Sequence, residues 1–106
     1  MRDDQQKDAD RLLAYSRRGD SQALEELVQR HHARAYRFFL RTLGSPTLAD
    51  DAAQDAFVAL IRGAGRFEEG RSFGSWWGGI LANTARSAVR KRSAQTRREE
   101  RAARRP

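Results

Sequence analysis

Residues 21–43 have the sequence SQALEELVQRHHARAYRFFLRTL, and this stretch decides the fold of the chain. Its apolar and boundary side chains recur at three- and four-residue steps, the spacing of one face of an α-helix. These positions are Leu24, Leu27, Val28, His31, Ala35, Phe38, Phe39 and Thr42. Asp20 can cap the start, and Gly44-Ser45-Pro46 ends the helix because proline disfavours helix in the residue before it. The stretch therefore predicts the main core helix of a helical protein.

Two further helices are predicted on either side of this one. Residues 8–18 favour a short helix that ends at Gly19, where glycine suits a left-handed cap. Thr47-Leu-Ala-Asp50 is similar to a capping box and starts a third helix that runs to about Ile61. The inward positions of the third helix are predicted to be Ala49, Ala53, Ala56, Phe57, Leu60 and Ile61.

A fourth helix is predicted from Phe73 to about Arg92, with Ser72 as its cap. It either continues or frays into the charged residues that follow. Residues 62–71 contain three glycines and predict an exposed loop before it. Since no segment alternates with period two, the fold class is all-α, a compact bundle of about four helices.

Length and composition allow one small domain of 106 residues, with 39% apolar residues and no cysteine. A disulfide framework and a thiolate metal site are therefore excluded, and no cofactor is predicted. No apolar run approaches the length of a membrane span, so the expected location is the cytoplasm. We divide the chain into a flexible N-terminus at 1–7, a helical domain at 8–92 and a basic linker or tail at 93–106.

The net charge of +7 is concentrated in the last third of the chain. Residues 1–70 carry 11 Lys and Arg against 12 Asp and Glu, whereas residues 71–106 carry 10 against 2. Such clustering is typical of a polyanion-binding surface, because each phosphate contact releases condensed counterions. For residues 93–106 alone, a solvated basic tail explains the charge equally well.

The third helix carries an acidic cluster on the side away from its apolar residues. Asp50 and Asp51 lie in the first turn, where the helix dipole alone favours carboxylates. Gln54 and Asp55 lie beyond that turn and form one surface with Asp51, next to Val58. This surface predicts a contact with an Arg-rich helix of a protein partner.

Three motifs in this order resemble extracytoplasmic-function sigma factors, which are small bacterial transcription initiation factors. The segment from Ala49 to Phe57, ADDAAQDAF, is similar to the family's AEDLVQEVF. Residues 19–27 match its GDxxAFxxL opening with Leu24 in place of Phe. The fourth helix matches its FxxWLxxIAxN pattern at Phe73, Trp76, Ile80 and Asn83, followed by Arg90.

The resemblance implies region 2 of a sigma factor, an all-helical domain that docks on the clamp helices of the RNA polymerase β′ subunit. It assigns the docking surface to Asp51, Gln54, Asp55 and Val58, and it leaves Phe57 in the core. It also implies that the domain recognises and helps to melt the minus-ten promoter element. An anti-sigma factor is a further possible partner.

Residues for the minus-ten element are expected on the fourth helix and in the loop before it. Asn83 matches the family's Asn, and by analogy the loop residues Arg66, Phe67, Glu68, Arg71 and Ser72 are candidates for holding a flipped base. The candidates for phosphate contacts are Arg86, Arg90, Lys91 and Arg92.

The two adjacent tryptophans cannot both face the core, since neighbours on a helix lie about 100° apart. Trp76 is in register with Phe73 and Ile80, so it is predicted to be the core residue. Trp77 stands where small sigma factors usually have Leu and is either packing or a contact to the edge of the opened duplex. Gly78-Gly79 replaces larger family residues and either permits a close approach or loosens the helix.

An enzyme is the alternative from another class, and the sequence disfavours it. His31 and His32 lie on different helix faces without a second ligand, and no phosphate loop or nucleophile motif is present. The stronger alternative is an interaction module that binds an anti-sigma factor or polymerase without acting at promoters. A continuation past Pro106 into a helix-turn-helix domain would favour the initiation factor, whereas a stop codon there would favour the module.

Overall fold

The computed structural model describes residues 2–105, with side chains from residue 4 onward. Four α-helices follow one another: α1 is Arg2–Arg18, α2 is Ser21–Leu43, α3 is Pro46–Gly63 and α4 is Phe73–Arg104, with a short 3-10 helix at Ala64–Arg66 after α3. No strand occurs among residues 2–105, so the predicted all-α bundle is confirmed. Met1 and Pro106, the outermost residues of the two predicted end segments, lie outside the described residues.

The helix boundaries follow from local capping. Gly19 and Gly44 adopt left-handed φ angles of 66° and 71°, which glycine permits without strain. Asp20 caps α2 by accepting the Ala23 N–H at 3.1 Å, as predicted. The predicted capping box at Thr47 is wrong, because Ser45 caps α3 by accepting the Leu48 N–H at 3.3 Å. Pro46 is the first residue of α3, where its missing N–H costs no helical hydrogen bond.

Helix α1 is longer than predicted, and helix α4 follows the predicted alternative in which it continues into the charged residues. Helix α1 begins at Arg2 instead of about Asp8, and Gln5 within it accepts a hydrogen bond from the Ser72 hydroxyl at 3.2 Å. Residues 2–7 therefore extend the first helix toward the start of α4. Helix α4 continues past Arg92 to Arg104, so the described part of the basic tail is helical. Good helix formers and the Gln95–Glu99 hydrogen bond at 3.0 Å favour this extension.

The core is built where α2 packs against α1, α3 and α4. Its largest fully buried side chains are Phe39, Phe73, Leu12, Leu27 and Leu60. Helix α3 presents a nearly continuous row of buried alanines, which lets neighbouring helices approach closely. Ala52 is in this row, whereas Ile61, predicted to face inward, is 39% exposed. The error has a geometric reason: Ile61 lies 100° around the helix from Leu60, on the edge of the stripe.

A buried carboxylate ties α1 to α2. The Asp8 side chain is only 4% exposed and accepts hydrogen bonds from Arg30 Nε at 2.8 Å and Arg11 Nη1 at 3.0 Å. Its other oxygen lies 2.7 Å from His31 Nε2. The hydrogen bond to Asp8 and the charge of that carboxylate raise the pKa of the Arg30 guanidinium above its ordinary value. His31 is thus the boundary residue that the sequence predicts, and its ring lies 5.2 Å from that of Phe73.

Within residues 2–105, none of the helices has both the length and the apolar character needed to cross a bilayer.

Candidate functional site

The predicted docking residues form one exposed surface on α3. Asp51, Gln54, Asp55 and Val58 are all exposed, and Val58 shows 43% of its surface to solvent. The rotation of α3 that exposes them is fixed by the buried row on the opposite side, which includes Phe57 and Leu60. The predicted core position of Phe57, 7% exposed, is confirmed. An exposed acidic face with one aliphatic side chain suits a basic amphipathic helix.

A groove runs between α3 and α4 beside this surface. In its first half, which we call the acidic half-groove, Asp51, Gln54 and Asp55 of α3 face Lys91, Gln95 and Glu99 of α4. Leu48, Ala52 and Ala88 give this half an apolar floor. Within residues 4–105, Asp51 and Glu99 form no ion pair, so the charge left uncompensated here is negative.

The second half, the basic half-groove, holds several predicted nucleic-acid residues. Arg62 and Arg66 at the end of α3 and in the 3-10 helix meet Asn83 and Ser87 of α4 there, with Val58 between them. Arg66 and Asn83, which are 17 positions apart in the chain, are therefore brought to one groove. Guanidinium and amide groups along a groove are the donors that contact phosphates and base edges.

One ion pair marks the junction of the two half-grooves. Lys91 Nζ lies 3.8 Å from Asp55 Oδ2, and both residues line both halves. Both side chains are more than half exposed, so the pair is weak and accessible to competing partners. Asp55 and Val58 of the predicted protein-binding set thus adjoin Arg66, Asn83 and Lys91 of the predicted nucleic-acid set, whereas Arg71 and Ser72 line a separate pocket against α1.

Three of the four predicted phosphate contacts already have partners within the chain. Arg92 Nη1 donates to the Leu43 carbonyl oxygen at 2.7 Å and so caps the end of α2. Lys91 pairs with Asp55, and Arg86 donates to the Asn83 side-chain oxygen. Within residues 4–105, Arg90 is exposed and forms no ion pair or side-chain hydrogen bond. It is the predicted basic residue most available to a phosphate.

Trp77 is the buried tryptophan, which agrees with the packing alternative left open for it, whereas the predicted core position of Trp76 is only partly met. Trp77 is 6% exposed and packs on Phe57 and Phe73, with ring centroids 4.9 Å and 6.4 Å away. Trp76 is only partly buried, and its ring lies 5.3 Å from that of Phe67. A contact of Trp77 with the duplex edge is therefore contradicted by its burial. Trp76 retains an accessible edge.

The loop before α4 contains one residue that burial also removes from the candidates. Phe67 is 5% exposed and packs against Phe73 and Trp76, so it anchors the loop and cannot stack on a base. Arg71 and Glu68 are exposed, and Gly70 with φ 88° supplies the turn between them. Ser72 caps α4, as predicted, by accepting the Ser75 N–H at 3.2 Å.

Comparison with known proteins identifies the family at this point. The family model for sigma-70 region 2 matches residues 27–95, which include both half-grooves up to Gln95. The chain belongs to this family. The predicted resemblance to an extracytoplasmic-function sigma factor, region 2, is thereby confirmed.

Several curated proteins resemble this sigma region 2 domain. RNA polymerase sigma factor CarQ of Myxococcus xanthus is 40% identical over 74 residues, which are 70% of this chain and 42% of that protein. ECF RNA polymerase sigma factor SigM of Mycobacterium tuberculosis is 36% identical over 83 residues, 78% of this chain and 42% of that protein. ECF RNA polymerase sigma factor SigW of Bacillus subtilis is 29% identical over 76 residues, which are 72% of this chain and 41% of that protein. No solved structure matches.

The chain therefore spans about two fifths of the length of the curated sigma factors that it matches. Membership of the sigma-70 region 2 family also agrees with the prediction that the chain is not an enzyme, because sigma factors act in transcription initiation.

Sequence analysis missed the contribution of α4 to the acidic half-groove of this sigma domain. Lys91, Gln95 and Glu99 follow one another at four-residue steps, which places them on one face of a helix. That signal was present in the sequence, but it depends on α4 continuing past Arg92, and the sequence left open whether the helix continues there or frays. The Asp8 contacts to Arg30 and His31 had no sequence signal, because they join positions 22 and 23 residues apart.

Proposed function

We propose that this chain docks on core RNA polymerase through the exposed face of α3 and recognises the minus-ten promoter element through the basic half-groove and the loop before α4. The observation that carries the proposal is the adjacency of the two surfaces. Asp55 and the exposed Val58 lie in one half-groove with Arg66 and Asn83, and Asp51, which forms no ion pair within residues 4–105, lies in the adjoining half. The proposal implies a cytoplasmic location, where core polymerase and the chromosome are found.

In the docking step, a basic helix of the polymerase clamp lies on Asp51, Gln54 and Asp55, with Val58 buried beneath an aliphatic side chain of the partner. Charged groups at the rim chiefly set the association rate and orientation, and the apolar contact slows dissociation. The acidic face is suited to this role because residues 71–106, which carry 10 Lys and Arg against 2 Asp and Glu, would repel a basic helix.

In the promoter step, Arg66, Arg71 and Asn83 lie along the opened strand, Ser72 lies at the start of α4, and Arg86 and Arg90 contact phosphates further along α4. Lys91 and Arg92 contribute through their charge while holding their contacts to Asp55 and the end of α2. Phe67 and Trp77 support this surface from the core. The residues that touch phosphates position the strand, and Asn83 with the loop is proposed to contact a base.

Charge reversal at Asp51 tests the docking step. Asp51→Arg is expected to weaken binding of the chain to core polymerase at least about tenfold, since a favourable charge contact becomes a repulsive one. Asp50→Arg is the control, because Asp50 is equally exposed and lies one residue earlier, outside the acidic half-groove. Fluorescence anisotropy of the labelled chain with core polymerase measures both. If Asp51→Arg and the unchanged chain bound core polymerase with equal affinity, the docking proposal would be contradicted.

Salt dependence and substitution of Arg90 test the promoter step. Affinity for a single-stranded oligonucleotide carrying a minus-ten sequence is expected to fall steeply as the salt concentration rises. Arg90→Ala is expected to make the slope of log affinity against log salt concentration shallower, by the amount that corresponds to about one phosphate contact. Asn83→Ala should instead reduce discrimination between oligonucleotides of different sequence and leave the slope unchanged. Polymerase binding without any affinity for single-stranded DNA would favour the interaction-module alternative.

A further inference from the structure

The acidic half-groove carries carboxylates on both walls, one of which belongs to the far part of α4. Asp51 lies on the α3 wall and Glu99 on the α4 wall, and Leu48, Ala52 and Ala88 form the apolar floor between them. Glu99 lies beyond the residues matched by the sigma-70 region 2 model, which end at Gln95. A groove of this form between two helices accepts the ridge of a third helix.

We propose that the α4 wall of the acidic half-groove, through Gln95 and Glu99, is part of the surface that holds the basic helix of the polymerase. This inference rests on the proposed function and extends its docking surface from one helix to two. The occupant is an amphipathic helix that places an aliphatic side chain over Ala52 and Ala88. It directs one basic side chain toward Asp51 and another toward Glu99.

The charges of the half-groove favour that occupant. Of its basic residues, Lys91 is paired with Asp55, and Arg92 is committed to the Leu43 carbonyl. Of its acidic residues, Asp51 and Glu99 form no ion pair within residues 4–105. A neutral carbonyl does not cancel the charge of Arg92, so the half-groove keeps two separated carboxylates, Asp51 and Glu99, against one cation, and a basic helix that reaches both carboxylates is attracted there.

The α4 wall is helical over its whole length. Helix α4 is continuous from Phe73 to Arg104, and Arg92 contacts the end of α2 one turn before Gln95. The Thr96 hydroxyl donates to the Arg92 carbonyl oxygen at 3.0 Å, and the Gln95 amide donates to Glu99 Oε1 at 3.0 Å. Glu99 is therefore placed on the same helix face as Lys91 and Gln95, where it can meet a partner.

Two neighbouring glutamates allow a controlled test. Glu99→Arg and Glu100→Arg make the same charge change on the same exposed part of α4, but only Glu99 lines the half-groove. Glu99→Arg is expected to weaken binding to core polymerase about three- to tenfold, and Glu100→Arg less than about twofold. Gln95→Ala removes the hydrogen bond to Glu99 without changing charge, so it separates the loss of that bond from the charge effect.

A steric test compares two exposed residues of α4, one that lines the half-groove and one that does not. Thr96→Trp fills the half-groove and is expected to reduce polymerase binding at least about fivefold, since the indole occupies the space of the partner helix. Ser93→Trp on the same helix lies outside the half-groove and is expected to have little effect. Circular dichroism spectra of all variants should match that of the unchanged chain, because the substituted residues are exposed.

The outcomes distinguish the inference from the function on which it rests. If Asp51→Arg weakens polymerase binding while Glu99→Arg and Glu100→Arg have equal effects, α3 docks alone and the inference is overturned. If Asp51→Arg has no effect, the proposed docking itself fails. A loss of binding for Asp51→Arg, Glu99→Arg and Thr96→Trp, with both control variants unchanged, supports the two-walled surface.

Discussion

Helices α3 and α4 pack against each other but use their charged side chains differently. On α3, Asp51 and Gln54 are exposed and form no ion pair or side-chain hydrogen bond within residues 4–105, so they remain available to a partner. On α4, Arg92 caps α2, Lys91 pairs with Asp55 and Arg86 bonds to Asn83. A run of basic residues therefore contains both structural and free members, and only their contacts tell them apart.

The difference follows from how each helix is fixed in the bundle. Helix α3 is held by a single buried stripe of alanines together with Phe57 and Leu60, so the residues of its polar face are not needed for packing. Helix α4 has large side chains on several sides and contacts α1, α2 and α3. Its long basic side chains then reach neighbouring carbonyl and carboxylate groups. Charge on α4 serves packing as well as recognition.

The largest expected effect concerns the aromatic start of α4. Trp77→Ala is expected to lower the free energy of unfolding by about 3–5 kcal/mol, because a nearly buried indole leaves a cavity beside Phe57 and Phe73. Trp76→Ala should cost less, about 1–2 kcal/mol, since part of its ring is already exposed. Urea denaturation measures both. A larger loss for Trp76→Ala would reverse the assignment of the core tryptophan.

The two tryptophans show where prediction from sequence was limited. On α3, the spacing of Ala49, Ala53, Ala56 and Phe57 defines one stripe, and the acidic face was correctly placed opposite to it. On α4, apolar residues occupy adjacent positions and Gly78 and Gly79 interrupt the pattern, so no single stripe fixes the rotation. Because Trp76 is in register with Phe73, the sequence favoured Trp76 as the core residue. In the structure Phe57 of α3 packs against Trp77, so Trp77 is the buried tryptophan.

The helices and most caps were predictable because their signals are local. Gly19, Asp20 and Gly44 act within one turn of their own position, and the structure confirms them. The contact of Arg92 with Leu43 joins positions 49 residues apart, and the burial of Phe67 depends on the start of α4. Such contacts depend on how helices cross, which the spacing of one helix does not determine.

Arg90 and Arg92 provide a comparison of a free and a committed basic residue. Arg92→Ala is expected to lower the free energy of unfolding by about 1–2 kcal/mol, because the α2 carbonyl loses a charged donor and a favourable charge at a helix C-terminus. Arg90→Ala should change stability by less than about 0.5 kcal/mol. Thermal denaturation with single-stranded DNA binding on the same variants separates the two roles. Equal stability losses would remove the distinction.

The smallest expected effect concerns the junction of the half-grooves. Both Asp55 and Lys91 are more than half exposed, so their ion pair should stabilise the fold by less than about 1 kcal/mol, and salt should weaken it. A double-mutant cycle with Asp55→Asn and Lys91→Gln isolates this coupling from the effect of each charge on its other neighbours. Lys91→Gln also leaves Asp55 free for a basic partner, so its affinity for core polymerase should rise slightly as its affinity for single-stranded DNA falls. If both affinities fell together, Lys91 would contact the polymerase itself, and the division between the acidic and basic halves would have to move toward α4.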